Sequence, residues 1–222
     1  MIYFSPDYLN FFKELAGNNH KDWFDVNRKR YETNIKKAFE VFITDLIAAI
    51  QEHDKNIEIT YKEAIFRINR DVRFSKNKEP YKLNRSAIIS PKGRKDKAFP
   101  GLYIELGPEH VRIYGGVFQP DKEQLYGIRD SIVANPKAFD KLVNDKKFVA
   151  TFGELRGDKN KIIPKEFREE GEHTPLIFNK QFYWFTQFEP EIIESEDLLE
   201  KTMEVYLANK NLMDYFAKAI QQ

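Results

Sequence analysis

The chain has no cysteine, which removes disulfides, thiolate nucleophiles and cysteine-based metal sites in one step. Its four histidines, His20, His53, His110 and His173, are far apart and show no His-x-x-x-His spacing. No dedicated transition-metal site is therefore expected. No apolar run approaches the roughly 18 residues a membrane helix needs, and the N-terminus carries no basic region followed by an apolar segment. A cytoplasmic location away from membranes is the expectation. There is no nucleophile-elbow motif, so acyl chemistry has no support. Gly115-Gly116 lacks the full GxGxxG or GxxxxGK[ST] context, so neither a nucleotide-binding fold nor any cofactor is expected. Internal repeats and low-complexity segments are absent as well.

What the chain does have is aromatic bulk and unevenly placed charge. Nineteen Phe and eleven Tyr among 222 residues supply material for a substantial core, and a 32% charged fraction supplies a solvated surface. One domain spanning 1–222 is the default expectation. The formal net charge is only +1, yet the window from Arg67 to Lys97 holds eleven Lys and Arg against three acids, Asp71, Glu79 and Asp96. Positive charge is gathered here rather than spread, and such clusters favour anionic ligands through charge-assisted and bidentate hydrogen bonds.

Within that window, Arg67, Arg70, Asp71, Arg73, Phe74, Lys78 and Tyr81 fit the pattern RxxRDxRFxxxKxxY. The pattern resembles the signature of a mainly bacterial family of uncharacterised proteins, domain of unknown function 2461. The stretch Asn18-Asn19-His20-Lys21-Asp22-Trp23-Phe24 before it and Gly115-Gly116-Val117-Phe118-Gln119-Pro120, with Leu125 and Arg129, after it extend the likeness. Further on, Glu172-His173-Thr174-Pro175 loosely resembles an acidic-His-Pro element of the family. The resemblance implies a single-module bacterial protein and brings no established activity.

Periodicity outlines the fold. Ser5-Pro6 reads as a cap and first-turn proline for a helix carrying Tyr8, Leu9, Phe12 and Leu15 and ending at Gly17. Asn19 is placed to cap a second helix through Tyr31, and Phe39, Phe42, Ile43, Leu46, Ile47 and Ile50 lay an apolar stripe on a third, continuous or not with the second. The segments 57–60, 63–68, 82–90, 101–106, 111–117 and 181–188 read as strands. Leu125, Ile128 and Ile132, then Phe139, Leu142 and Val143, mark two helices punctuated by Asn135-Pro136. The stretch 156–172 reads as a long loop. Ser195 is expected to cap a helix through Ala208, with a separate terminal helix carrying Leu212, Tyr215, Phe216, Ala219 and Ile220. The expected class is α+β: N-terminal helices, a central, mostly antiparallel sheet, and C-terminal helices.

For function, three readings stay open at this level. The first is an anion pocket of Arg67, Arg70, Arg73 and Lys78, oriented by Asp71, lined by Tyr81 and joined by Arg129, for a phosphate-bearing small molecule or nucleic acid. The second is a phosphoester hydrolase in which the same cations stabilise developing charge while Glu63, Asp71 or Glu105 supplies a base or holds magnesium. The third is a structural or protein-interaction module in which the motif is an internal ion-pair network, with Phe74 and Tyr81 in the core. The basic loop Lys92, Arg94, Lys95, Lys97 carries no base-reading motif, so nucleic-acid binding would rest on phosphate contacts.

Overall fold

The computed structural model describes residues 1–96 and 98–221, and its class is the expected α+β. Helices α1 (Asp7–Gly17) and α2 (Lys21–Val26) lead into one uninterrupted helical run. That run comprises α3 (Arg28–Arg30), a π turn (Tyr31–Lys36) and α4 (Lys37–Gln51). A short helix, α5 (Tyr61–Ala64), precedes the sheet. Strands β1 (Arg85–Ile89), β2 (Leu102–Leu106), β3 (Val111–Val117) and β4 (Phe182–Phe188) pair in the order β1-β2-β3-β4, all antiparallel. Between β3 and β4 lie α6 (Lys122–Ala134), α7 (Pro136–Val143), α8 (Lys146–Phe152) and α9 (Arg168–His173), and α10 (Leu198–Ala219) closes the chain.

Alternation along the strands decides which face is covered. Leu102, Ile104 and Leu106 of β2, Val111, Ile113 and Val117 of β3, and Phe182 and Trp184 of β4 are buried. This inner face packs against the long helices, with Trp184 stacked on Phe216 of α10 (centroids 6.1 Å apart) and edge-on to Phe148 of α8 at 5.4 Å. The hydrophobic cluster continues through Phe39, Phe42 and Ile43 of α4 to Phe11, Phe12 and Leu15 of α1. The outer face of β2 to β4 carries half-buried Tyr103, Glu105, Arg112, Tyr114 and Tyr183.

Several expectations need correcting. Residues 57–60 form no strand. Ile57 and Ile59 are buried, but the Ile57 carbonyl accepts from Gln51 Nε2 at 2.7 Å. The segment from Glu63 starts as helix α5, because Thr60 and Glu63 form a reciprocal capping box, and becomes extended only at Ile65. Ser5 makes no side-chain cap; Pro6 occupies the N-cap position of α1. Ser195 lies before the cap of α10, its hydroxyl accepting from the Asp197 N–H at 3.0 Å. The expected break after Ala208 is absent: Asn209 stays helical, buried, with Nδ2 donating to the Val205 carbonyl at 2.8 Å. Packing of Leu212, Met213 and Phe216 outweighs the weak helix propensity of asparagine. The stretch 156–172 is more ordered than a loop, bridging to Tyr183 and Asn179 and forming most of α9. Among the described residues, no helix is long and apolar enough to cross a membrane.

Candidate functional site

The motif folds as a two-stranded ribbon at the edge of the sheet. Residues 65–70 run antiparallel to 80–87, through bridges Ile65–Ala87 and Asn69–Tyr81. The bonds are Phe66 N–H to the Ser86 carbonyl at 2.9 Å, Lys82 N–H to Ile68 at 2.9 Å and Arg70 N–H to Pro80 at 2.8 Å. Pro80 keeps the chain extended on its return, since proline disfavours a helical state at Glu79. Residues 71–79 form the loop joining the two strands of the ribbon.

That geometry separates the residues picked out by the motif. Arg67 faces a cleft beside the helical run. Arg70 pairs with Glu79 at 3.4 Å, and Arg73 pairs with Asp71 at 2.7 Å, both out on the loop. The Asp71 carboxyl is held below its ordinary range by the Arg73 hydrogen bond, with the Arg67 charge adding to the effect. Lys78 donates to the Val72 carbonyl at 3.1 Å. Phe74, expected in the core, is 96% exposed because the loop lifts it away from the sheet. Tyr81 is buried, stacked on Phe24 with centroids 4.1 Å apart, and its ring lines the cleft. Arg129 sits on α6, buried, donating to the carbonyls of Ile177 at 3.0 Å and Asn179 at 3.3 Å, on the β4 side of the molecule. The expected convergence of Arg67, Arg70 and Arg73 with Lys78 or Arg129 therefore does not form; Arg67 and Tyr81 alone of the expected set reach the cleft. The three expected acids are elsewhere too. Glu63 is committed to capping α5, Asp71 to Arg73, and Glu105 lies on the outer face of the sheet.

The cleft consists of two cavities, of about 450 and 250 Å³, that share Lys36, Arg67 and Arg85 in their linings. Across both linings six cations (Arg28, Lys36, Lys62, Arg67, Arg85, Arg94) stand against two acids, Glu32 and Glu40. Local partners absorb part of this charge. Arg28 pairs with Asp25, Lys36 with Glu32 at 2.7 Å, and Arg94 donates to the carbonyls of Lys62 and Ile65 that end α5. Arg67 makes no hydrogen bond or ion pair among the described residues. The π turn places Tyr31, Glu32 and Lys36 on the wall, a widened turn of a type often found at binding sites.

Arg85 is the unusual member. It opens β1 on the inner face, opposite Leu106, and is only 4% exposed. Its guanidinium lies 5.5 Å from the Phe39 ring centroid and 5.9 Å from that of Tyr31. Nε has no hydrogen-bond partner, and no carboxylate of the described residues comes within ion-pairing distance. Burial raises the Tyr31 phenol, while the Arg85 charge opposes that shift. The motif reading missed Arg85 and Lys36. A legible signal existed for Arg85, a cation in register with Ala87 and Ile89 on the core row of a strand, but nothing local marks Lys36.

Such an arrangement can hold an anion with two or more ionic oxygens, using planar guanidinium forks and an ammonium point charge. Its two acids cannot jointly hold a metal, because Glu32 and Glu40 are eight residues apart on one helical run, roughly 12 Å at 1.5 Å per residue. Among the described residues, no three His, Asp or Glu side chains gather as metal ligands. Of the basic loop, Arg94 lines the cleft while donating to the α5 carbonyls, Lys92 pairs with Asp96 at 3.1 Å, Lys95 is exposed, and Lys97 lies outside the described residues.

No curated protein matches this chain. A family model described as conserved hypothetical protein (DUF2461) matches residues 7–215 of its 222. That span takes in the motif ribbon, the cleft and most of α10, and the chain belongs to this family.

Proposed function

We propose that this chain binds a small phosphate-bearing anion in the basic cleft, with Arg85 and Arg67 as principal ligands and Lys36 beside them. The observation that carries the reading is the buried, carboxylate-free guanidinium of Arg85. Holding such a charge largely away from bulk water is unfavourable, by up to several kcal/mol for a fully buried ion. The two aromatic rings beside it offset only about 0.5–2 kcal/mol each, and both lie near the outer limit of useful distance. An anion supplies the missing compensation, and Arg67, itself unpaired, faces the same space. A small ligand fits better than a nucleic acid, because the cleft is a pair of cavities of about 450 and 250 Å³ rather than an extended basic surface, and Lys92 and Arg94 of the flanking loop already have local partners. A bacterial, cytoplasmic setting belongs to this reading, supported by the motif's family likeness and by the lack, among the described residues, of a helix long and apolar enough to cross a membrane.

The test is a thermal-shift and calorimetric titration of the full chain with inorganic phosphate and pyrophosphate. The expected result is a saturable rise in melting temperature, amounting to about 2.7 kcal/mol of stabilisation at a hundredfold excess over Kd, and lost in Arg85→Met and Arg67→Ala. Absence of binding, or equal binding by Arg85→Met, overturns it. Magnesium-dependent phosphoester turnover abolished by Glu40→Gln would replace the binder by a hydrolase.

A further inference from the structure

The outer face of the sheet carries a separate cavity, of about 530 Å³, whose lining shares only Phe66 with the first of the cleft's cavities. Its volume falls in the range of small-molecule sites. Five aromatic rings form its walls: Phe66, Tyr103, Tyr114, Phe118 and Tyr183. Phe66 lies 6.0 Å from Tyr103, and Tyr103 meets Tyr114 edge-on at 5.5 Å. Phe118 is 53% exposed, a half-open apolar ring at the rim.

One acceptor faces these rings. The Glu105 side chain is 15% exposed, and its Oε1 accepts from the Tyr114 hydroxyl at 3.2 Å and lies 3.2 Å from His110 Nε2. Among the described residues, Oε2 has only the Tyr103 hydroxyl, at 3.5 Å, the far limit of a hydrogen bond. A carboxylate offers about four lone-pair sites, so Glu105 retains acceptor capacity on the side of Oε2. The floor is kept bare by Gly116, at φ +125°, where a Cβ would sit 2.1 Å from the Phe182 carbonyl oxygen. A side chain there is excluded by backbone, and a flat ligand can lie against the strand.

The charge balance narrows the ligand further. Glu105 and Lys82 bring opposite charges to the lining, so a ligand of either net charge meets a like charge as well as an opposite one and gains little over an uncharged ligand. Aromatic walls favour a stacked ring over an aliphatic chain. We propose that this cavity is a second binding site, for an uncharged heteroaromatic ring that stacks on the tyrosines and donates an N–H to Glu105, as a nucleobase does.

The test is calorimetric titration of the full chain with uncharged nucleosides: adenosine, guanosine, cytidine and N6,N6-dimethyladenosine. At least one of the first three is expected to bind saturably, and where adenosine binds, the dimethylated form, which lacks the donor, should bind about tenfold more weakly, the loss of one charge-assisted hydrogen bond. Glu105→Gln should weaken binding similarly. Because Glu105 also receives two tyrosines and faces a histidine, Phe118→Ala serves as a second variant: its ring is at the rim, so the fold survives, and nucleoside affinity should fall several-fold. No binding by any nucleoside overturns the proposal, as does dimethyladenosine matching adenosine, Phe118→Ala binding as wild type does, or tryptophan outcompeting every nucleoside. The probes carry no phosphate, so failure here leaves the anion cleft standing.

Discussion

The side-chain amide of Asn19 holds both backbone polar groups of Tyr81: Nδ2 donates to the carbonyl at 3.0 Å and Oδ1 accepts from the N–H at 3.1 Å. Tyr81 needs this because the ribbon satisfies its neighbours instead, through Lys82 N–H and the Pro80 carbonyl, while β2 pairs only from Arg85 onward. Asn19 thus acts as one residue of an extra strand. Asn19→Ala should cost about 2 kcal/mol, two net hydrogen bonds, read as a lower denaturant midpoint at unchanged slope. An unchanged midpoint would show that water replaces the amide.

Arg85 separates a ligand role from a structural one. If its charge serves binding, Arg85→Met, which keeps the length and removes the buried charge, should leave stability unchanged or raise it by about 1–4 kcal/mol, as replacement of buried ionic groups often does. A clear loss of stability without ligand would assign Arg85 to the support of Tyr31 and Phe39.

Asp71 and Phe74 are conspicuous in the motif but stand in solvent. Asp71→Ala and Phe74→Ala should both leave the melting temperature unchanged within error, since exposed ion pairs and exposed rings contribute little. A large drop for either would mean that the loop folds against the body in solution.

Acid should weaken the N-terminal helices first. Asp7 accepts from Arg30 Nη2 at 2.6 Å and from Asn34 at 2.8 Å, and the Arg30 hydrogen bond holds its carboxyl below the ordinary 3.8. Glu14, bonded to the same Arg30, is lowered as well. The unfolded chain therefore binds protons more readily than the folded one, so this contribution is complete above the ordinary carboxylate range and is lost as pH falls through the folded value. Asp7→Asn should flatten the fall in stability between about pH 5 and pH 3, followed by urea denaturation across that range.

The elements that could be read from the sequence are those whose cause is local. Val111–Val117 alternates along its whole length, and Asn135-Pro136 ends one helix and starts the next. The site was harder to read for the opposite reason. Arg85 is buried by Tyr31 and Phe39, more than forty residues earlier, and Lys36 reaches the cleft through the π turn. Phe74 looks like core in an aromatic motif, but the loop between Arg70 and Pro80 carries it outward. The motif identified the right ribbon, and Arg67 on it, while the cations that complete the cleft come from outside the pattern.

Both rims of the four-stranded sheet are occupied by irregular chain. Ile65 and Phe66 meet β1 at Ala87 and Ser86, and Arg156 exchanges two hydrogen bonds with Tyr183 of β4, at 2.8 and 3.0 Å. Each covering segment carries an arginine and is too short or too bent to serve as a template itself. Each cover interrupts its edge at one point, which shortens the ladder that a strand from a second molecule could extend. The same charged ribbon that frames the cleft thereby shortens an exposed edge of an aromatic-rich chain, so changes to the ribbon are expected to bear on solubility as well as on the proposed binding.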